Sequence, residues 1–204
     1  MSIRYGARSR PGTMVSTWLN GLVSGDVFAV YAAYFAAGSP STDQVDKFDF
    51  PDDTHSVLAV GLSASTTSLA GAANAGTAAY FAGGYSGGAV TTVDKLAFVD
   101  GSRSTLGTGL SSARGGLAGA ANSGTAAYFA GGSGASTVDK FAFSDDSRST
   151  LGTGLSAGNE GLAGTANSGT AAYFAGGYAG GYVSTVDKFA FSDDSRSTLG
   201  TGLF

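Results

Sequence analysis

The stretch AAYFAGGY occupies Ala78–Tyr85 and returns unchanged at Ala171–Tyr178. Close variants stand at Ala126–Ser133 (AAYFAGGS) and Ala32–Ser39 (AAYFAAGS). An apolar run closed by glycines and written four times makes internal repetition the first question to settle. The tyrosines Tyr34, Tyr80, Tyr128 and Tyr173 lie 46, 48 and 45 residues apart. A Val-Asp-Lys triplet follows each run, at Val45–Lys47, Val93–Lys95, Val138–Lys140 and Val186–Lys188. A leucine marker precedes each, at Gly21-Leu22, Ser68-Leu69, Gly116-Leu117 and Gly161-Leu162. Residues Ser136–Leu155 and Ser184–Leu203 are identical over 20 positions, the mark of a recent duplication. Four units follow, at 21–67, 68–115, 116–160 and 161–204, with residues 1–20 outside them as an N-terminal arm.

Each unit reads as four short strands. In the third, Gly116–Ala121 is small and apolar, Thr125–Ala130 is TAAYFA, Thr137–Phe143 is TVDKFAF, and Ser149–Leu155 is a weaker fourth strand. Alternation puts Asp139, Phe141 and Phe143 on one face of the third strand and Val138, Lys140 and Ala142 on the other. Turn signals separate the strands: Asn122-Ser123-Gly124, Gly131–Gly134 and Ser144–Ser147. No segment has a 3.6-residue apolar period with caps, so almost no helix is expected. The second strand is apolar on both sides, as a strand packed between neighbours on both faces must be.

Four-stranded units of this length are the size of propeller blades. The second strand closed by a Gly pair, at Gly83-Gly84, Gly131-Gly132 and Gly176-Gly177, resembles the kelch repeat. The first unit departs with Ala37-Gly38. Kelch repeats also carry a Tyr in the third strand and a Trp about seven residues later. Here Phe50, Phe98, Phe143 and Phe191 take the first place, and Val57, Thr105, Thr150 and Thr198 the second. The resemblance implies an all-β fold, a four-bladed kelch-like β-propeller with a short N-terminal arm. Four blades is the low end for propellers. A closed ring is the leading expectation, before an open arc completed by a second chain or a stacked β-rich assembly.

Composition narrows function. The chain has 204 residues, 34 of them Gly, only 13% charged residues and a formal net charge of −4. That balance argues against nucleic acid, whose binders show a basic patch or stripe. With no Cys, one His (His55) and one Glu (Glu160), neither a thiolate nucleophile, a cysteine metal site nor a Ser-His-Asp constellation suggests itself. No carboxylate pair is singled out for glycoside hydrolysis. Galactose oxidase, a kelch relative, uses two His and a Cys-crosslinked Tyr that this chain does not have. No enzyme activity and no cofactor are therefore expected. The Asp pairs Asp52-Asp53, Asp145-Asp146 and Asp193-Asp194 match no calcium loop and read as turn formers, so no metal is expected. The lysines of the Val-Asp-Lys triplets are expected to pair with acids of neighbouring blades.

No apolar run reaches membrane-spanning length. Arg4, Arg8 and Arg10 ahead of Val27–Ala37 loosely imitate a secretory signal, but cleavage there would destroy the first repeat. The repeats differ mainly in the loops joining second to third strands and fourth to first strands, which share one face of a blade array. Tyr85, Arg114, Asn159, Glu160, Tyr178 and Tyr182 are the candidate ligand-binding residues there, of types suited to glycan or protein contact. In the arm, Arg4, Tyr5, Arg8, Arg10, Met14 and Trp18 are the candidate partner-binding residues. The expectation is a structural or adhesive subunit of a larger homo-oligomeric assembly, on a virion or a cell surface, such as a phage tail fibre or capsid decoration. The alternative is a bacterial carbohydrate- or protein-binding propeller.

Overall fold

The computed structural model describes residues 32–204 apart from 39 and 51. The first strand of the first unit and the arm residues Arg4, Tyr5, Arg8, Arg10, Met14 and Trp18 lie outside the described residues. Within them the chain is all-β, with fifteen strands in four antiparallel sheets. The first sheet holds β1 (Ala32–Ala36), β2 (Val45–Asp49) and β3 (Thr54–Val57). The second holds β4 (Ala70–Asn74), β5 (Ala78–Ala82), β6 (Val93–Ala97) and β7 (Arg103–Thr105). The third holds β8 (Ala118–Asn122), β9 (Ala126–Ala130), β10 (Val138–Ala142) and β11 (Arg148–Thr150). The fourth holds β12 (Ala163–Asn167), β13 (Ala171–Ala175), β14 (Val186–Ala190) and β15 (Arg196–Thr198). Strand order follows chain order in every sheet, so each unit is an up-and-down meander, the blade of a propeller.

The blades stack through their first strands: β4 lies against β8, and β8 against β12. These strands read AGAAN or AGTAN because the backbones themselves meet there. A Cβ on Gly119 would collide with the carbonyl of Gly71, and one on Gly164 with the carbonyl of Gly119. Larger side chains enter from the second and third strands. Tyr80, Val93 and Leu110 of the second blade enclose Phe129 and Phe141 of the third in one core. Tyr128, Val138 and Leu155 of the third enclose Phe174 and Phe189 of the fourth in the next. Val45 and Leu62 of the first meet Phe81 and Leu96 of the second in another. Each junction thus joins two unlike faces, one bearing Tyr and Val, the other two large apolar side chains. The alternation expected for the third strand is present, since Phe141 faces the preceding blade and Val138 the following one.

The Gly doublet has two functions. Both residues adopt positive φ, 65° and 97° at Gly83 and Gly84. The loop joining consecutive blades also rests directly on them. A Cβ on Gly84 would stand 2.5 Å from Thr66 Cγ2 and from the Thr67 carbonyl oxygen. Gly87 has φ 72° but open space around it. Gly87→Ala is therefore expected to cost about 1–2 kcal/mol, the left-handed penalty alone. Gly84→Ala should cost roughly 3 kcal/mol or more, because a backbone carbonyl must also move. Urea unfolding of the two variants checks this, and equal losses would remove the seating role.

Candidate functional site

The variable loops converge where one blade passes into the next. Each connection carries the pattern Leu-Ser-x-x-X: Leu62–Thr66, Leu110–Arg114 and Leu155–Asn159. The carbonyl of X accepts from the second glycine of the preceding blade: Gly38 to Thr66 (3.4 Å), Gly84 to Arg114 (2.9 Å) and Gly132 to Asn159 (2.7 Å). The following residue exchanges backbone hydrogen bonds with the next blade, as in Thr67 with Tyr85 and Glu160 with Tyr178. Main-chain groups therefore stitch the loops together. Such bonds are indifferent to side-chain identity, which leaves the sequence there free to vary.

Arg114 was expected on the loop surface, and the structure corrects this: it is only 1% exposed. Its Nη1 donates to the carbonyls of Gly131 (3.0 Å) and Thr137 (2.8 Å), and its Nη2 to Asp139 Oδ2 (2.5 Å). Burial pulls this guanidinium below its usual pKa, while the Asp139 carboxylate pulls it back. Asn159 is likewise buried and not a loop-surface residue, its Nδ2 donating to the Gly176 carbonyl. Both polar side chains turn under the loop and donate to strand carbonyls beneath it, which satisfies donors that burial would otherwise leave unpaired. Tyr85 lies across Gly115, and its hydroxyl meets Ser133 Oγ at 3.1 Å. Glu160, Tyr178 and Tyr182 come together on the fourth blade through the Glu160–Tyr178 and Tyr178–Tyr182 bridges. The two tyrosine rings are edge-on at 5.7 Å, and Tyr182 is almost wholly exposed. Tyr85 and Arg114 belong to a different junction.

The residues that sequence reading missed are the second aspartates of the Asp pairs. The first of each pair is the expected turn former: Asp145 accepts the Ser147 amide at 3.0 Å, and Asp193 that of Ser195 at 3.0 Å. The second, at φ 58° and 57°, turns toward the preceding blade. Asp146 accepts Tyr80 Oη (2.6 Å) and Lys95 Nζ (2.7 Å). Asp194 accepts Tyr128 Oη (2.7 Å) and Lys140 Nζ (2.7 Å). The expected pairing of triplet lysines across blades thus holds for Lys95 and Lys140. Burial and the bond to Asp146 push the Tyr80 hydroxyl up to about 12. Burial and Asp194 likewise push up that of Tyr128, so both remain donors at neutral pH. Gly101 stands where the first junction would need this aspartate, and Lys47 turns instead to Asp49 on its own strand at 2.7 Å.

The triplet aspartates close the same junctions from the other side. Asp94, Asp139 and Asp187 each accept the amide and hydroxyl of a serine in the preceding connection, Ser63, Ser111 and Ser156, at 2.8–2.9 Å. Burial opposes the ionisation of Asp187, but bonds from Thr198, Ser156 and Arg196 outweigh it and hold the carboxyl below its ordinary pKa.

Among the described residues, the two ends of the array carry these features without partners. On the fourth blade, Tyr173 and Lys188 have no side-chain hydrogen bond or ion pair among the described residues. Leu203, whose counterparts Leu62, Leu110 and Leu155 are buried, is 51% exposed. On the first blade, Phe35 is 60% exposed whereas its counterpart Phe129 is fully buried. Asp53, with φ 54°, is the counterpart of Asp146 and Asp194, and it too lacks a partner among the described residues. Asp46 bonds His55 Nε2 at 2.7 Å on this face, with His55 ranged against Phe48. No strand contact comparable to those between neighbouring blades joins the fourth blade to the first among the described residues. Among those residues, no group of three His, Cys, Asp or Glu is placed to hold a metal.

No family model matches the sequence, and no curated protein does. Solved structures match its fold. The structure of YjhT superimposes with a TM-score of 0.68 at 17% identity, covering 83% of this chain and 62% of that one. The structure of U3-55K does so with a TM-score of 0.57 at 19% identity, covering 82% of this chain and 48% of that one. The chain therefore has a β-propeller fold and spans about half to three-fifths of the length of these neighbours.

Arg114 and Arg103 separate a buried guanidinium from a partly exposed one. Arg114→Met leaves Asp139 charged and enclosed, and a loss of about 3–5 kcal/mol is expected. Arg103 stands 3.6 Å from Asp94 and is itself partly exposed, and Ser63 and Thr105 still donate to that carboxylate without it, so Arg103→Met should cost less, about 1–2 kcal/mol. Chemical denaturation of both variants measures the difference, and similar small losses would return Arg114 to the surface role.

Proposed function

We propose that this chain is a non-catalytic structural subunit that assembles head to tail, the fourth blade of one copy receiving the first blade of the next. One observation carries the proposal: Tyr173 and Lys188 await an acid at one end, and Asp53 awaits a tyrosine and a lysine at the other. Apolar side chains support it. Leu203 and Leu199 at one end, and Phe35 and Phe50 at the other, are exposed where the inner junctions bury or partly bury their counterparts. Joining the two ends would repeat the internal junction, with Phe50 against Tyr173 as Phe143 stands against Tyr80 at 5.1 Å. We also read the repeats as kelch-like, on their length and the Gly doublet. A low-charge, Gly-rich chain with one His and no Cys suits a part of a particle, and a virion fibre or decoration protein is the assembly we favour.

A second reading, a carbohydrate-binding propeller, is favoured by the paired Tyr178 and Tyr182, since exposed edge-on aromatic rings suit the apolar face of a sugar. Glycan-array binding that is abolished by Tyr178→Ala and Tyr182→Ala would support it. Binding that survives both changes would remove those tyrosines from the site.

The assembly is tested by solution mass at tens of micromolar. The full chain is expected to form oligomers. Lys188→Asp and Asp53→Lys should each weaken them, and the double variant should restore them, because the ion pair is then rebuilt with reversed sign. A monomer insensitive to all three changes would overturn the head-to-tail reading. Removing residues 1–20 shows separately whether the arm contributes, since equal assembly by the shortened chain would assign it no part.

A further inference from the structure

The three junctions have the same cradle with different occupants. Between the second and third blades, Arg114 fills it, held by the carbonyls of Gly131 and Thr137 and by Asp139. Between the first and second blades, the same acceptor positions are Gly83, Thr92 and Asp94. Thr66 stands in the place of Arg114, too short to cross, and its hydroxyl turns back to the Ala64 carbonyl at 2.9 Å. A cavity of about 100 Å³ remains, lined by Gly83, Thr92 and Asp94 and walled by Leu62, Leu69 and Phe81. Between the third and fourth blades, Asn159 occupies most of the corresponding space and leaves about 20 Å³.

We propose that the cavity beneath Thr66 is a binding site for an alkylguanidinium group, the group that Arg114 supplies to the next junction from within the chain. The carboxylate of Asp94 is 4% exposed and faces the cavity. Its Oδ2 accepts from Ser63, its Oδ1 from Thr105 at 2.6 Å, and the nearest cation among the described residues is Arg103 at 3.6 Å. A planar fork of donors matches one carboxylate oxygen flanked by two carbonyls better than a spherical ammonium does. The apolar walls suit the alkyl stem of such a ligand. The filled junction also indicates how Arg103 makes way. Its counterpart Arg148 leaves Asp139 to Arg114 and donates instead to the Gly109 carbonyl at 2.8 Å. Gly61 is the matching residue one junction earlier. The ligand is a free alkylguanidine or the arginine side chain of a peptide, chemically the same group.

Nuclear magnetic resonance titration of the full chain tests this, with methylguanidinium in one arm and a Gly-Arg-Gly amide in the other. Saturable shifts are expected at the amides of Ser63, Gly83 and Asp94, with Ser156, Asn159 and Asp187 unmoved as the internal control. Saturation by methylguanidinium identifies a small-molecule site, and markedly tighter saturation by the peptide identifies an arginine side chain. Thr66→Arg, which fills the cradle as Arg114 does, should weaken binding at least about tenfold, as should Asp94→Asn, which keeps an acceptor for Ser63. If Thr66→Arg does not fold, Asp94→Asn carries the comparison. Absence of saturable shifts in both arms, equal shifts with tetramethylammonium, or affinity unchanged in the variants would overturn the site.

Discussion

The arrangement of this protein depends on one asymmetric contact: an aspartate at a left-handed turn of one blade receives a tyrosine hydroxyl and a lysine ammonium from the blade before it. Asp146 and Asp194 make this contact, with Lys95 and Lys140 also lying 5.3–5.4 Å over the rings of Tyr80 and Tyr128. As partly exposed ion pairs these bonds stabilise modestly. Their larger effect is on register. A hydrophobic face of alanine and phenylalanine is non-directional, whereas a carboxylate that must meet two donors fixes how far one sheet slides over the next. The alanines and first-strand glycines then allow the close approach that the contact requires.

Where the contact is missing, the chain compensates. Gly101 deprives the first junction of its carboxylate, and Asp49 appears on the strand of Lys47, where the other three repeats carry alanine. The lysine keeps a partner, but the bond no longer spans two blades. Tyr34 meets the second blade by stacking on Phe98 at 4.7 Å, closer than the tilted pairs at the other junctions. Ring packing substitutes for the hydroxyl bond.

Much of this was legible in the residues. Spacing gave four units, alternation in TVDKFAF assigned its two faces, and the doubly apolar AAYFA marked a strand enclosed on both sides. Arg114 was not legible as a core residue. A charged side chain in a variable loop reads as solvated, and its burial depends on carbonyls of the next blade that local sequence does not bring together. A comparison across repeats carries some signal, since Thr66, Arg114 and Asn159 all follow a Leu-Ser pair at the same interval. The paired aspartates were half legible. Their turn chemistry is local, while the second carboxylate acts at a range of 66 residues.

Because every junction joins unlike faces, the array of blades has a polarity, as a filament has. A blade inserted at any point brings one face of each kind, and both ends remain as they were. The repeat number can therefore change by duplication without redesign of any interface, and the 20-residue identity between the last two units fits a chain that has lengthened in this way. The ends, by contrast, are fixed in character. One presents a tyrosine and a lysine and the other an aspartate, so the array reads differently from its two ends whatever its length.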